Sequence, residues 1–148
     1  MSDSRTNSPP PRWLLKLFTR LNVWIYRISN GRWLNEFNGD PICLVEMIGA
    51  KSRKKRTIPL MYVPDGEDVL LVASQGGAPT HPIWYYNLTT NPQVWITQDK
   101  KRRAMTAHEL IGESRLAAWP VCVSYYAPYA EYETRTDRTI PVFRCIEI

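Results

Sequence analysis

A cluster of cationic side chains is the first feature of this 148-residue sequence that could take part in chemistry. Five of the six positions from 51 to 56 are basic: Lys51, Arg53, Lys54, Lys55 and Arg56. They lie in a basic connection, residues 49–56, between two β-prone runs. Lysine and arginine side chains bind phosphate and carboxylate groups through charge-assisted hydrogen bonds. The connection therefore indicates a site for an anionic ligand, and the alternative is a solvated turn that keeps a strand edge soluble.

A pair of glycines follows a second β-prone run. Gly76 and Gly77 lie in the stretch Ser74-Gln75-Gly76-Gly77. Adjacent glycines let a backbone approach a flat ligand closely and leave its amides free to donate. Alone, this pair is a weak signal of binding.

Aromatic residues are concentrated in two later segments. They are Trp84, Tyr85 and Tyr86, then Tyr125, Tyr126, Tyr129 and Tyr132. On a helix Tyr125, Tyr129 and Tyr132 would share one stripe, which is typical of a core. Each buried phenol needs a hydrogen-bond partner, however. A pocket wall that stacks on a planar ligand accommodates four tyrosines in eight residues better, and we favour that interpretation.

The common kinds of side-chain catalysis are not indicated. The two histidines, His81 and His108, lack metal-ligand spacing, and no Cys-x-x-Cys pair, nucleophile elbow or phosphate-binding glycine motif occurs. Cys43 and Cys145 lie in apolar runs, where inert buried thiols are expected. We therefore expect no metal site, and we interpret the basic, glycine and aromatic segments as parts of a binding site.

The chain after Asp40 reads as short strands joined by turns, a framework that would bring these segments together. The predicted strands cover residues 42–48, 57–63, 68–73, 93–97, 102–110 and 139–146. Pro59 lies inside the second run, which is typical of an edge strand or a bulge because proline has no amide hydrogen to donate.

Three short helices are predicted between these strands. They cover residues 83–88, 113–123 and 128–135. Pro82 suits the first turn of the first helix, with Thr80 as its cap. Pro120 must bend or restart the second. Hairpins with helices inserted late indicate an α+β fold, a mostly antiparallel barrel.

The net charge is concentrated at the start of the chain. Residues 1–35 hold six basic residues and one acidic residue, so they carry the whole net charge of +5. We therefore expect no nucleic-acid binding by the body of the protein. Residues 1–11 read as a flexible Pro-rich tail. Residues 12–30 read as a basic amphipathic helix, which predicts docking on the domain or binding to an anionic membrane surface through residues 12–29.

Several stretches occur in a characteristic order. They are Gly49…Lys51…Arg56…Pro59, Ala73-Ser74-Gln75-Gly76-Gly77-Ala78-Pro79, His81-Pro82-Ile83-Trp84-Tyr85-Tyr86-Asn87-Leu88 and Thr136-Asp137-Arg138-Thr139-Ile140-Pro141. In this order they resemble the deazaflavin-dependent nitroreductase family, which includes quinone reductases. The resemblance implies a split, flavin-reductase-like β-barrel over residues 36–148. It also implies coenzyme F420, an 8-hydroxy-5-deazaflavin, as cofactor.

The resemblance further implies roles for individual residues. Lys51 and Arg56 would bind the phosphate and acidic tail of the coenzyme. The other implied cofactor contacts are Ala50, Ser52, Thr57, Pro59, Val72, Ala73, Ser74, Gln75, Gly76, Gly77, Ile83, Trp84, Asn87 and Tyr129. The implied substrate pocket is bounded by Tyr62, Tyr126, Tyr129 and Tyr132. The implied catalytic residues are Ser74 and two potential donors to the acceptor oxygen, Tyr126 and Tyr129.

The leading hypothesis is an enzyme that transfers a hydride from reduced F420 to an electron-poor small molecule: a quinone, a nitroaromatic or an activated alkene. The cofactor would supply the chemistry, and the protein would supply binding and orientation. Two alternatives remain open: an FMN-dependent oxidoreductase on the same barrel, and a non-enzymatic deazaflavin carrier at the membrane. The expected location is the cytoplasm, with a peripheral position at the inner face of the plasma membrane as a further option.

Overall fold

The computed structural model describes residues 36–37 and 40–148 of the chain. The strands in this part are β1 (Glu36–Phe37), β2 (Asp40–Ile48), β3 (Lys55–Met61), β4 (Val63–Asp65), β5 (Asp68–Val72), β6 (Gln93–Gln98), β7 (Lys101–Glu109) and β8 (Val142–Glu147). The α-helices are α1 (Ile83–Thr90), α2 (Glu113–Tyr125) and α3 (Pro128–Thr134). The predicted tail at residues 1–11 and helix at residues 12–30 lie outside the described residues.

The strands form one curled antiparallel sheet. Its order is β3-β2-β6-β7-β8-β5-β4, and β1 pairs with the start of β2. A single residue, Tyr62, separates the edge strand β3 from the opposite edge strand β4, so the chain itself joins the two edges of the sheet. Pro59 lies in β3, an edge strand as predicted. The predicted α+β fold, an antiparallel split β-barrel, is confirmed.

The strand register divides the barrel into two ends. Strands β2, β5 and β7 finish at the end where β3, β6 and β8 begin, as the pairs Ile48↔Lys55 and Val72↔Val142 show. We call this the upper end. It carries the basic connection, the glycine pair and all three described helices. The basic connection and the glycine pair, two of the segments that the sequence predicts to bind a ligand, therefore lie at one end of the barrel.

Two apolar clusters form the core, one on each face of the sheet. Strand β5 contributes to both because successive side chains point to opposite faces. Val69 and Leu71 pack in the barrel interior with Phe143, whereas Leu70 and Val72 pack in the second cluster under α2 and α3. The second cluster also contains the predicted site tyrosines Tyr126 and Tyr129, with Tyr132 packed against it.

The described helices end within two residues of the predicted bounds but differ from the predictions at Pro120 and Thr80. Helix α2 runs through Pro120 without restarting. Pro120 removes the donor to the carbonyl of Leu116, but both residues are exposed, so water can satisfy that carbonyl. Thr80 is not the cap of α1, because the helix begins directly after Pro82 and has no side-chain cap.

The cysteines Cys43, Cys122 and Cys145 are buried free thiols. Burial raises the pKa of Cys145 to about 12 and that of Cys122 to about 11. These thiols remain protonated near neutral pH, which agrees with the expectation of inert core cysteines.

Candidate functional site

The basic connection is a compact loop closed by its own hydrogen bonds. The Gly49 amide donates to the Lys54 carbonyl at 2.9 Å, and the Arg53 amide donates to the Gly49 carbonyl at 3.0 Å. The Ser52 hydroxyl accepts from the Lys54 amide at 3.2 Å. All residues from 51 to 56 are exposed, and none of these cations forms an ion pair with a described carboxylate. The loop therefore presents, on a backbone held by its own hydrogen bonds, positive charge that no described carboxylate neutralises.

A buried amide side chain ties this loop to helix α1. Asn87 accepts a hydrogen bond at its Oδ1 atom from the Ala50 amide, 2.9 Å away. Its Nδ2 group donates to the Met47 sulfur at 3.6 Å. Ala50 and Asn87, both implied cofactor contacts, are thus brought together. In this structure the Asn87 side chain is engaged within the protein, where it sets the position of the loop.

The glycine turn, residues 74–77, adopts a left-handed backbone from Gln75 onward. Gln75, Gly76 and Gly77 have φ values of 44°, 63° and 81°. A Cβ atom on Gly77 would lie 2.7 Å from the Tyr132 carbonyl oxygen and 2.9 Å from the Cβ of Arg135. A Cβ atom on Gly76 would meet nothing within 4 Å. Gly77 therefore permits close packing against α3 and the residue after it, and Gly76 leaves open space for a ligand.

Three tyrosines lie beside this turn, on α3 and at the end of α2. The rings of Tyr126 and Tyr129 pack edge to face at 4.9 Å, and the Tyr126 and Tyr132 hydroxyls are 3.3 Å apart. Tyr129 is only 4% exposed, and burial raises its pKa well above the usual value. The structure thus brings Val72, Tyr126, Tyr129 and Tyr132 together with the glycine turn.

The sheet separates Arg56 from two other implied cofactor contacts, Thr57 and Pro59. In β3, Arg56 pairs with Met47 and shares the face of the barrel interior, whereas Thr57 and Pro59 pair with Glu46 and Leu44 on the opposite face. Strand alternation therefore prevents these three side chains from lining one surface.

Tyr62 lies away from the other three implied substrate-pocket tyrosines. It follows β3 at the lower end of the barrel, where its amide donates to the Pro41 carbonyl at 2.9 Å. Its side chain packs against the interior cluster and lines a cleft of about 190 Å³ with Gln98, Lys101 and Arg103. The structure does not bring Tyr62 to the glycine turn.

The residues at the start of α1 point in different directions. Trp84 is half-buried and packs on Phe143 in the barrel interior, with ring centroids 5.9 Å apart. Ile83 is 53% exposed.

Ala73 and Ser74, which precede the glycine pair, are buried. The amide of Ala73 donates to the Pro141 carbonyl at 2.9 Å.

Arg138, His81 and Glu109 have no predicted role, and the structure joins them through Tyr85 in a polar network at the upper end. Arg138 contacts His81 Nδ1 at 3.0 Å, and the Tyr85 hydroxyl donates to the Glu109 carboxylate at 2.9 Å. Burial and Arg138 lower the pKa of His81, whereas burial and Glu109 raise that of Tyr85. The network joins distant segments, so no local pattern in the sequence signals it.

Neither a metal-binding group nor a membrane-spanning helix is found in the part of the chain that the structure describes. There, no three histidine, cysteine, aspartate or glutamate side chains are arranged to hold a metal ion. No helix of this part combines the length and the apolar character needed to cross a bilayer.

The fold and its upper end define a class of protein. It is the small antiparallel split β-barrel of the flavin-reductase-like kind, here with a cationic loop and a glycine turn at the same end. Residues 18–147 match the family model described as F420H(2)-dependent quinone reductase, so the chain belongs to that family. The predicted resemblance is confirmed.

Individual relatives agree with this assignment. The chain is 39% identical over 139 residues to an F420H(2)-dependent quinone reductase of Mycobacterium tuberculosis strain H37Rv, covering 88% of this chain and 93% of that protein. A solved F420-H2 dependent reductase, FDR-A, is 48% identical with a TM-score of 0.68, covering 72% of this chain and 94% of that one. The heme storage protein HutZ from Vibrio cholerae, 13% identical with a TM-score of 0.51, covers 82% and 88% and shows the fold alone.

Proposed function

We propose that this protein is an oxidoreductase that transfers a hydride from reduced coenzyme F420 to a quinone. Membership of the F420H(2)-dependent quinone reductase family supports the reaction. The observation that carries the proposal on this chain is the upper end of the barrel. A basic loop that no described carboxylate neutralises, a glycine turn and a group of tyrosines all lie at this end.

The residues present fit such a coenzyme. Its tail bears phosphate and carboxylate groups, and the basic connection offers exposed cationic donors that no described carboxylate neutralises. Lys51 and Arg56 are proposed to bind that tail. Its flat ring needs a backbone without bulky side chains, and the position of Gly76 is open. When bound, reduced F420 supplies the hydride.

The protein contributes orientation and a proton donor. Orientation of two reactants can account for about 7–11 kcal/mol of a barrier. The buried Tyr129 phenol stays protonated at neutral pH because burial raises its pKa. Tyr126 or Tyr129 is proposed to donate a hydrogen bond to the acceptor oxygen as negative charge develops there. Ser74 is also a proposed catalytic residue. Its carbonyl already accepts hydrogen bonds from the Gly77 amide and the Arg138 side chain, so its hydroxyl would carry that role.

Parallel fluorescence titrations with oxidised F420 and FMN test the cofactor. We expect F420 to bind more tightly, because its tail adds negative charges that match the basic connection. Turnover of menadione with reduced F420 then tests the activity. If FMN displaces F420, the protein is a flavin mononucleotide oxidoreductase. Tight F420 binding without oxidation would instead identify a carrier.

The acceptor range is a finer part of the proposal. Nitroaromatics and activated alkenes are, like quinones, electron-poor, and we propose them as secondary acceptors. Comparison of kcat/KM for menadione, a nitroimidazole and a cyclic enone ranks the three classes, and a quinone is expected to rank first.

We also propose that residues 12–29 bind the surface of an anionic membrane. The proposal rests on the sequence, since these residues lie outside the described part. Replacement of Arg12, Lys16, Arg20 and Arg27 with glutamine should reduce sedimentation with phosphatidylglycerol vesicles at least tenfold, because each basic residue contributes about 1 kcal/mol near such a surface.

The control is the double variant Lys100→Gln and Lys101→Gln. Lys100 lies in the turn after β6, Lys101 is the first residue of β7, and both are exposed at the lower end of the barrel. It should retain vesicle binding, and both variants should retain menadione turnover. Unchanged sedimentation of the fourfold variant would contradict membrane binding by this segment.

A further inference from the structure

We propose that Arg138 is the positioning residue of the cofactor site: its guanidinium holds the glycine turn in the binding conformation, with neutral His81 as one of its acceptors. The inference rests on the proposed function, because the turn is the segment proposed to receive the F420 ring.

One guanidinium holds the backbone on both sides of the turn. Arg138 donates through Nη2 to the Ser74 carbonyl at 2.8 Å and through Nε to the Ala78 carbonyl at 2.8 Å. Its Nη1 group lies 3.3 Å from the Ala73 carbonyl and 3.0 Å from His81 Nδ1. A planar fork with five donors can reach four acceptors at once, and a lysine ammonium has only three donors.

The partners of Arg138 differ from those of three other arginines in the described part of the chain, whereas Arg115 also donates to a backbone carbonyl, that of Ile140. Arg144 is paired with Asp65 and Asp68, Arg102 with Glu46 and Arg135 with Glu131. Among the same residues, no carboxylate forms an ion pair with Arg138. Its hydrogen bonds go to three backbone carbonyls and one ring nitrogen. This set of acceptors orients a loop, and none of the described carboxylates neutralises the positive charge.

The bonds to Arg138 also set the direction of the next amides. The described chain has no cis peptide bonds, so the N–H of each peptide unit points opposite to its carbonyl. The Ala73 and Ser74 carbonyls point to the guanidinium, and the amides of Ser74 and Gln75 therefore point away from it. Without the guanidinium, the buried Ala73, Ser74 and Ala78 residues would each lose a donor to their carbonyl, and the Ser74 carbonyl would keep only the Gly77 amide. The turn could then relax to other conformations.

His81 makes this arrangement sensitive to pH. Arginine can only donate, so Nδ1 of His81 must accept and the proton of the neutral ring lies on Nε2. The charged and titratable groups around the ring are Arg138, Tyr85, Tyr86 and, through Tyr85, Glu109. Protonation of Nδ1 would remove the acceptor and place a second cation beside Arg138. Burial and Arg138 disfavour that state, so it forms only below the usual pKa of histidine.

The first test measures F420 dissociation constants by fluorescence for wild type, Arg138→Lys, Arg138→Ala and, as a matched control, Arg135→Ala. Arg135 donates one long bond of 3.3 Å to the Gly76 carbonyl of the same turn. We expect a rise of at least tenfold for Arg138→Ala, about fivefold for Arg138→Lys and at most twofold for Arg135→Ala. The KM for reduced F420 should rise in parallel, and kcat should change less than threefold.

The second test measures the F420 dissociation constant between pH 5 and 8 in wild type and His81→Asn. The asparagine oxygen can replace Nδ1 as acceptor but does not titrate. The affinity of wild type divided by that of His81→Asn should be near one at pH 8. Below pH 6 this ratio should fall at least threefold, because only wild type loses the acceptor. Because F420 itself titrates, only this ratio is interpreted.

The outcomes separate the two proposals. If wild type does not bind F420, the proposed function fails. If wild type binds F420 while Arg138→Lys matches it and the pH ratio stays flat, the function stands and the positioning role of Arg138 is overturned. Should Arg138→Ala fail to fold, Arg138→Lys and the pH ratio still decide the question.

Discussion

Lys51→Ala and Arg56→Ala are each expected to raise the dissociation constant of F420 by about 10-fold to 150-fold. Loss of one hydrogen bond to a charged group costs about 1.5–3 kcal/mol, and each 1.4 kcal/mol is a factor of ten in affinity. Both side chains are exposed, so their loss should leave the melting temperature within about 2 °C of wild type, since surface substitutions shift stability by only about 0.5 kcal/mol.

Lys54→Ala is the matched control for this prediction. It removes the same charge from the same loop, and Lys54 is outside the predicted contact set. A change of at most threefold is expected, from the weaker long-range attraction alone. Equal losses for Lys51, Lys54 and Arg56 would mean that the loop acts as a diffuse charge. Wild-type affinity in all three variants would move the anionic site elsewhere.

A comparison of Arg56 with its neighbour Thr57 locates the tail on the sheet. Their side chains leave opposite faces of β3. Weaker binding in Arg56→Ala with unchanged binding in Thr57→Ala would place the tail on the interior side of the strand. The reverse result would place it on the face that Pro59 shares.

Gly77→Ala is expected to lower the free energy of unfolding by about 2–5 kcal/mol. A left-handed backbone costs an alanine about 1–2 kcal/mol, and forced overpacking adds about 1–3 kcal/mol. The added Cβ atom would lie 2.7 Å from the Tyr132 carbonyl oxygen, which is backbone and cannot move alone. Thermal unfolding should show a melting temperature lower by about 5–15 °C.

Two glycines of similar conformation serve as controls. Gly66 and Gly76 have φ values of 62° and 63°, and a Cβ atom added at either position would meet nothing within 4 Å. The controls are Gly66→Ala and Gly76→Ala. Both variants should lose only about 1–2 kcal/mol of unfolding free energy, because the alanine is strained in a left-handed backbone. Gly76→Ala should additionally weaken F420 binding, because its methyl group would enter the space proposed for the ligand. If Gly77→Ala were as stable as Gly66→Ala, the close approach of α3 to the turn would be wrong.

The strands were predictable because their determinants are local. Runs of β-branched and apolar residues between turn residues predict β2, β5 and β6 to within two residues at each end. The run at residues 57–63 was predicted as one strand but is divided at Tyr62, because there the chain passes from one edge of the curled sheet to the other. Sheet curvature depends on the pairing of distant strands and is not a local property.

By itself, the sequence determined the chemistry that is available: a run of cations, a glycine pair, a group of tyrosines, and the order of motifs that identifies the family. Tertiary structure alone decided which of these groups meet. Register placed the basic connection and the glycine turn at one end, and strand alternation sent Arg56 and Thr57 to opposite faces. Arg138 acquired its acceptors only through folding, because its partners lie 57 to 65 positions away and contacts at that separation follow from packing.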